Sequence, residues 1–225
     1  MSSKTPRPTT GGRPPLTRER ILDAAIALAD AEGVGGLTMR RLAGELGVEA
    51  MTIYYHVANK DAILDALVER VIAEIQLPER GAEWRSGLRS LAISAYEVLG
   101  RHRWATAMML GPGRSAGPMR LRYMDTILAL LTDAGFEPTI ADHAYHAIEG
   151  HVMGFTLWEA GMNLGTREEV QALGREFLAQ LPTEAYPNVA AHIEHHLEPR
   201  RPGDAGSFVF ALDLLLDGLA RIRSA

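Results

Sequence analysis

The sequence predicts an all-α protein, with a small basic three-helix front and a larger acidic helical bundle behind it. Three observations carry this. Apolar residues recur at helical spacing along most of the chain, Gly and Pro breaks separate the periodic segments, and no run alternates as a half-buried strand would. The charge is divided: residues 1–60 hold 8 Lys+Arg against 6 Asp+Glu, while the remainder holds 15 against 22 within a net charge of −5. Any phosphate-binding surface therefore belongs to the N-terminal quarter. Finally, 225 residues at 47% hydrophobic and 23% charged suffice for one or two domains with a real core.

Composition also excludes. The chain has no cysteine, so disulfides, thiolate nucleophiles and zinc–cysteine centres are ruled out. No apolar stretch approaches the roughly 18 residues that span a bilayer, and the start, MSSKTPRPTTGGRPP, lacks the apolar core of a signal peptide. The expectation is a cytoplasmic protein with no membrane partner.

Residues 1–16 combine Lys4, Arg7 and Arg13 with four prolines and read as a flexible basic arm. From Thr17, a plausible N-cap, Ile21, Leu22, Ala25, Leu28 and Ala29 share one helix face, and the helix should stop at Gly33. The glycines at 33, 35 and 36 join two helices; with no preceding strand and no following Lys-Ser/Thr pair they are not a phosphate cradle. Thr38 caps a short helix that buries Met39, Leu42, Ala43 and Leu46 and closes at Gly47. A second short helix over 50–57 turns Ile53 and Val57 inward, leaving Thr, Tyr, Tyr and His outside. For Tyr54 a place in the core is an equal alternative, since one of two adjacent aromatics on a short helix normally faces inward. Asn59 caps a connector helix over about 60–76, ended by Pro78. Further helices are expected at 83–101, 104–110, 117–134, 139–164, 166–181, 186–197 and 207–223, with breaks at Gly111-Pro112-Gly113 and Pro199-Arg200-Arg201-Pro202-Gly203.

Thr38 to Val57 fits a helix-turn-helix. A recognition helix needs small or flexible side chains near its start so that the backbone approaches base edges, and hydroxyl or imidazole groups that grip phosphates. Ala50, Met51 and Thr52 meet the first need, and Tyr54, Tyr55 and His56 the second. Met51 and the Thr52 methyl suit a thymine methyl, and Arg40 and Lys60 bracket the surface with positive charge.

The stretches Leu37–Val48 and Thr52–Lys60 resemble the DNA-binding domain of the tetracycline-repressor (TetR) family. Leu110-Gly111-Pro112, Ala134-Gly135-Phe136 and Gly150-His151 through Glu159 resemble its ligand-binding domain. The resemblance implies a ligand-responsive regulator, most simply a repressor, that binds a palindromic double-stranded operator as a homodimer and leaves it when a small-molecule effector binds. The implied domains are a DNA-binding domain at 17–62 and a ligand-binding and dimerisation domain at 77–225. The implied DNA contacts are Thr38, Arg40, Ala50, Met51, Thr52, Tyr54, Tyr55, His56 and Lys60.

Matched to that family, Gln76 falls at its drug-binding histidine, Leu91 at a polar asparagine and Met109 at the metal-ligating histidine. Glu159 keeps an acid, yet an acid without the imidazole does not build the drug-bridged magnesium site. The expected effector is therefore largely apolar, in a pocket drawn from Gln76, Leu91, Ala95, Met108, Met109, Met124, Leu128, Phe155 and Trp158. Helices near 139–164 and 207–223 are expected to pair in a four-helix dimer interface, the latter through Phe208, Leu212, Leu215, Leu216, Leu219 and Ile222. Alternatives are an activator or protein-partner regulator of the same fold, or a metal sensor or enzyme built on His143, His146 and His151 or on His192, His195 and His196. The order His192-Ile193-Glu194-His195-His196 is not HExxH, and neither a nucleophile elbow nor a dinucleotide fingerprint is present, so no enzyme, cofactor or metal is expected.

Overall fold

The computed structural model describes residues 15–111, 117–161, 167–198 and 206–224. Residues 1–14 of the expected arm, the Pro112-Gly113 break, the end of the expected 139–164 helix and the Pro199–Gly203 break lie outside them. The described residues form eleven helices and no strand: α1 Arg18–Gly36, α2 Met39–Leu46, α3 Ala50–Tyr54, α4 Lys60–Ala73, α5 Trp84–Arg101, α6 Arg103–Leu110, α7 Pro118–Asp133, α8 Pro138–Gly161, α9 Arg167–Gln180, α10 Pro187–Leu197 and α11 Gly206–Ser224. The chain divides into two compact units, Met1–Leu67 and Val68–Ala225, with the boundary inside α4.

In the first unit the starts of α1, α2 and α4 are capped as the sequence dictates, and α3 starts after Glu49 with no side-chain cap. Thr17 Oγ1 accepts from the Arg20 amide at 3.3 Å, Thr38 Oγ1 from the Arg41 amide at 3.2 Å and Asn59 Oδ1 from the Ala62 amide at 2.8 Å. Each satisfies one of the donors that a helix start leaves free. Gly33, at φ 72, breaks α1 where expected, although one further turn of helix follows to Gly36. Gly47 ends α2 in the left-handed region at φ 61, and the Val48 amide returns to the Ala43 carbonyl at 3.0 Å, which turns the chain toward α3. An ion pair between Arg41 and Glu32 joins α2 to α1. Ile21, Leu22, Leu42, Ile53, Ile63 and Leu67 form the dry centre.

Two expected spans shorten. The helix read over 50–57 ends at Tyr54: the Val57 amide still reaches the Ile53 carbonyl, but the His56 amide bonds the same oxygen, and the tight turn ends the regular ladder. The connector read to residue 76 ends at Ala73, because the Glu74 and Ile75 amides bond carbonyls three residues back and the Gln76 amide leaves for Ser94 Oγ at 2.9 Å.

The second unit is built around α5 and α8, which pack on each other and both on α6, α7 and α11. Glu83 caps α5, its carboxylate accepting the Arg85 and Ser86 amides at 3.0 and 2.8 Å. Those two bonds hold its carboxyl below the usual range. Gly87 lets α7 close in, since a Cβ there would stand 3.0 Å from Leu130. Helix α7 starts after Gly117 with no side-chain cap of its own, and Glu69 of α4 supplies one: its carboxylate accepts the Met119 amide at 2.8 Å and the Arg120 amide at 3.4 Å. Helices α9 and α10 pack on each other.

Candidate nucleic-acid interface and effector region

The turn at Gly47 and the buried anchors Ile53 and Val57 fix which side of α3 faces water. Met51 is 67% exposed, Tyr54 42% and Tyr55 85%, and His56 is exposed beside them. Neither tyrosine enters the core, so the alternative of a buried Tyr54 falls away. The core below α3 is already filled by Ile53 and Val57, and a five-residue helix has no second inward row. Ala50 and Thr52 are half-buried at the start of the helix, leaving room for a close approach of its backbone.

The flanking cations differ. Arg40 is exposed and its guanidinium has no partner among the described residues, whereas the neighbouring Arg41 is held by Glu32. Lys60 is half-buried and donates from Nζ to the Val34 carbonyl at 3.3 Å, with two further donors on the ammonium. Thr38 is exposed with its hydroxyl oxygen engaged as the α2 cap. The surface thus presents a thioether, two phenols, an imidazole and a free guanidinium, all uncommitted to the fold. Such groups contact base edges and phosphate oxygens.

The sequence-matched effector residues differ in exposure. Leu91, Ala95 and Met109 are sealed in the core. Met108, Met124, Leu128 and Phe155 are half-buried, and Trp158 stands on the surface with its ring edge toward Phe155. Gln76 instead lines an open groove of about 350 Å³ along α5. On α5, Leu91 and Ala95 turn inward, while residues 86, 90 and 94 turn outward and line that groove with Gln76. The serines at 86, 90 and 94 were not singled out in the sequence, though their spacing of four marks one helix face. A second cavity of about 250 Å³ opens where the end of α4 meets α7, between Ile72, Ile75, Leu77, Met119, Arg122 and Tyr123.

Two polar features tie the unit's helices. Tyr123 is fully buried and donates to Glu149 at 2.5 Å. Burial pushes the Glu149 carboxyl up, opposed by that bond and by the charge of Arg120. Tyr123 itself is pushed well above the usual phenol range by burial and then by the Glu149 charge. At the start of α11, Phe208 stacks between Tyr96 and His151, and His151 Nε2 lies 2.9 Å from the Phe208 carbonyl. Tyr96 donates to Glu159 at 2.8 Å. His192 and His196 touch on α10, and no group of three metal-ligating side chains forms among the described residues.

Residues 21–67 match the family model described as bacterial regulatory proteins of the tetR family, and residues 77–223 match that of the tetracyclin repressor-like C-terminal domain. The chain belongs to the TetR family. It is a ligand-responsive transcriptional repressor of that family and not an enzyme. It is 30% identical over 223 residues to the HTH-type transcriptional repressor DrrR1 of Streptomyces coeruleorubidus, covering 95% of this chain and 80% of that one. It is also 31% identical over 212 residues to the class C tetracycline repressor of Escherichia coli, covering 92% of each. The solved structure of the Streptomyces coelicolor TetR family protein ActR in complex with actinorhodin superposes with a TM-score of 0.69 at 26% identity, covering 94% of this chain and all of that one. TetR regulators bind DNA operators and small-molecule ligands. No helix among the described residues is long and apolar enough to cross a membrane.

Proposed function

We propose that the protein represses transcription as a homodimer whose two α3 helices enter successive major grooves of a palindromic operator. The carrying observation is the α3 face, where Met51, Tyr54, Tyr55 and His56 are exposed beside an unpaired Arg40. The contact set is Thr38, Arg40, Ala50, Met51, Thr52, Tyr54, Tyr55, His56 and Lys60, on a DNA-binding domain at 17–62. Residues 77–225 bind the effector and dimerise. Effector binding shifts α4 and with it the spacing of the two heads; half-sites one turn apart, about 34–36 Å, tolerate little mismatch.

The test is titration of the purified chain onto DNA flanking its own gene at several salt concentrations. Specific binding that weakens steeply with salt is expected. Sequence-independent binding alone, or none, contradicts the proposal.

The dimer face on α11 differs from the stripe read in the sequence. Phe208, Leu212, Leu216 and Leu219 are buried within the chain, which leaves Phe210, Leu214 and Ile222 exposed. With Leu157 and Trp158 of α8 exposed as well, these supply the apolar surface for a second copy.

The effector is largely apolar in its body. Leu91 and Met109 offer no polar anchor where tetracycline repressors place them, and the half-buried Met108, Met124, Leu128 and Phe155 are adaptable side chains. Calorimetric titration with magnesium and tetracycline is expected to show no binding in the micromolar range; magnesium-dependent micromolar binding contradicts it.

A further inference from the structure

The groove along the outer face of α5 has the chemistry of a site. Its volume of about 350 Å³ is at the low end for small-molecule pockets, and every lining residue but Ile93 carries a polar group at the end of a side chain whose carbons share the surface. The hydroxyls of Ser86 and Ser90 donate to carbonyls of their own helix, Glu83 at 3.2 Å and Gly87 at 3.0 Å. Each oxygen keeps lone pairs for a ligand. Ser94 Oγ accepts the Gln76 amide at 2.9 Å, and its own proton has no acceptor among the described residues. The Gln76 side chain adds one donor group and one acceptor, and it too has no partner among them.

The charges narrow the ligand class. Arg89 is committed to Asp213 through Nε at 2.8 Å and Nη2 at 3.3 Å, so its cation is already balanced. Glu97 lines the groove with no side-chain partner among the described residues. A balanced cation and an unpaired carboxylate disfavour phosphate or another anion. Acceptors and donors interleaved over a short span suit groups that both accept and donate, namely neighbouring hydroxyls. Ile93 supplies an apolar patch for the C–H face of a ring that carries them.

We infer that this groove, formed by Gln76 and the Ser86, Ser90 and Ser94 face of α5, binds a hydroxyl-rich ring such as a glycosyl or polyol group. Gln76 lies three residues beyond the end of α4 and is tied by its amide to α5. A ligand bridging Gln76 to the serines tightens the tie that fixes the tail of α4. Only this consequence rests on the effector-controlled repressor reading; the binding itself does not.

The probes are methyl β-D-glucoside and myo-inositol, with cyclohexanol as the ring carrying a single hydroxyl. Backbone-amide NMR of the full chain follows them at millimolar concentration. Both polyols are expected to shift the amides of Gln76, Ser90 and Ser94, and cyclohexanol to bind about tenfold more weakly. The double variant Ser86→Ala with Ser90→Ala removes two exposed hydroxyls and no long-range contact. It should lose polyol binding about tenfold while the thermal midpoint stays unchanged. The inference is overturned by cyclohexanol binding as well as the polyols, by no polyol shift in these amides, or by the double variant binding as the parent does. Operator binding by the same preparations separates the two readings. If it persists while polyols fail, the groove alone is wrong; if it is absent while polyols bind, the repressor reading fails and the groove stands.

Discussion

Tyr55 extends almost wholly into water just past the end of the five-residue α3, and nothing in the fold requires its ring. Tyr55→Ala is therefore expected to leave the thermal midpoint unchanged and to weaken operator binding about fivefold through a lost phosphate hydrogen bond. Lys60→Ala should reduce the slope of log affinity against log salt by about one charge. Because Lys60 also bonds the Val34 carbonyl, this variant should lose about 1 kcal/mol of stability, measured by denaturant unfolding. An unchanged slope would remove Lys60 from the contact set. Glu149 gives a pH signature. Its carboxyl titrates above the ordinary 4.5 in the folded chain, so the folded state holds the proton more tightly than the unfolded one. The stability from this proton is full below pH 4.5 and is lost as pH rises through the raised value. Glu149→Gln keeps an acceptor for Tyr123 and should flatten the fall in thermal midpoint on the alkaline side of pH 4.5; an unaltered pH profile would contradict this. The buried Met109 was legible as apolar but not as sealed, since sequence position fixes neither the turn of α6 nor what packs above it.

Among the elements, the α7 start depends on a residue fifty positions away. The Glu69 carboxylate occupies its free amides, a favourable place for negative charge at a helix N-terminus, and Gly117 leaves room for it. A Cβ at 117 would lie 2.3 Å from the Glu69 carboxyl carbon. Gly117→Ala should push that carboxylate away, cost about 1 kcal/mol in denaturant unfolding, and speed amide exchange at Met119 and Arg120. Exchange rates unchanged at both amides would show that the cap contributes nothing. No sequence rule exposes such a cap, because the motif is local in space and distant in the chain. By contrast, the starts of α1, α2 and α4 were readable at Thr17, Thr38 and Asn59, where the capping residue sits next to its helix. Helices α3 and α4 each end about three residues before their apolar spacing does. In both, apolar spacing continues past the last regular turn while amides switch to carbonyls three residues back, and periodicity does not distinguish the two arrangements.

At the scale of the molecule, the sequence showed the all-helical architecture and the opposite charge of its two parts, because Gly and Pro punctuate the helices and lysine and arginine positions are plain to count. It did not show how α5 is rotated, and that rotation turns Leu91 into the core and the serines into the groove. The dimer proposal makes its own demand on α11. Leu214→Glu replaces an exposed side chain, so the monomer should fold while sedimentation shows the dimer dissociating at concentrations where the parent stays paired. A parent chain that sediments as a concentration-independent monomer would contradict the dimer.

The central claim is that two copies present the α3 face to two grooves at once. A hydroxyl-radical footprint of the ligand-free chain on its operator tests it most directly. Two protected half-sites related by a two-fold axis, with centres about 34–36 Å apart, are predicted. A single asymmetric tract, or protection equally strong on unrelated DNA, would contradict it.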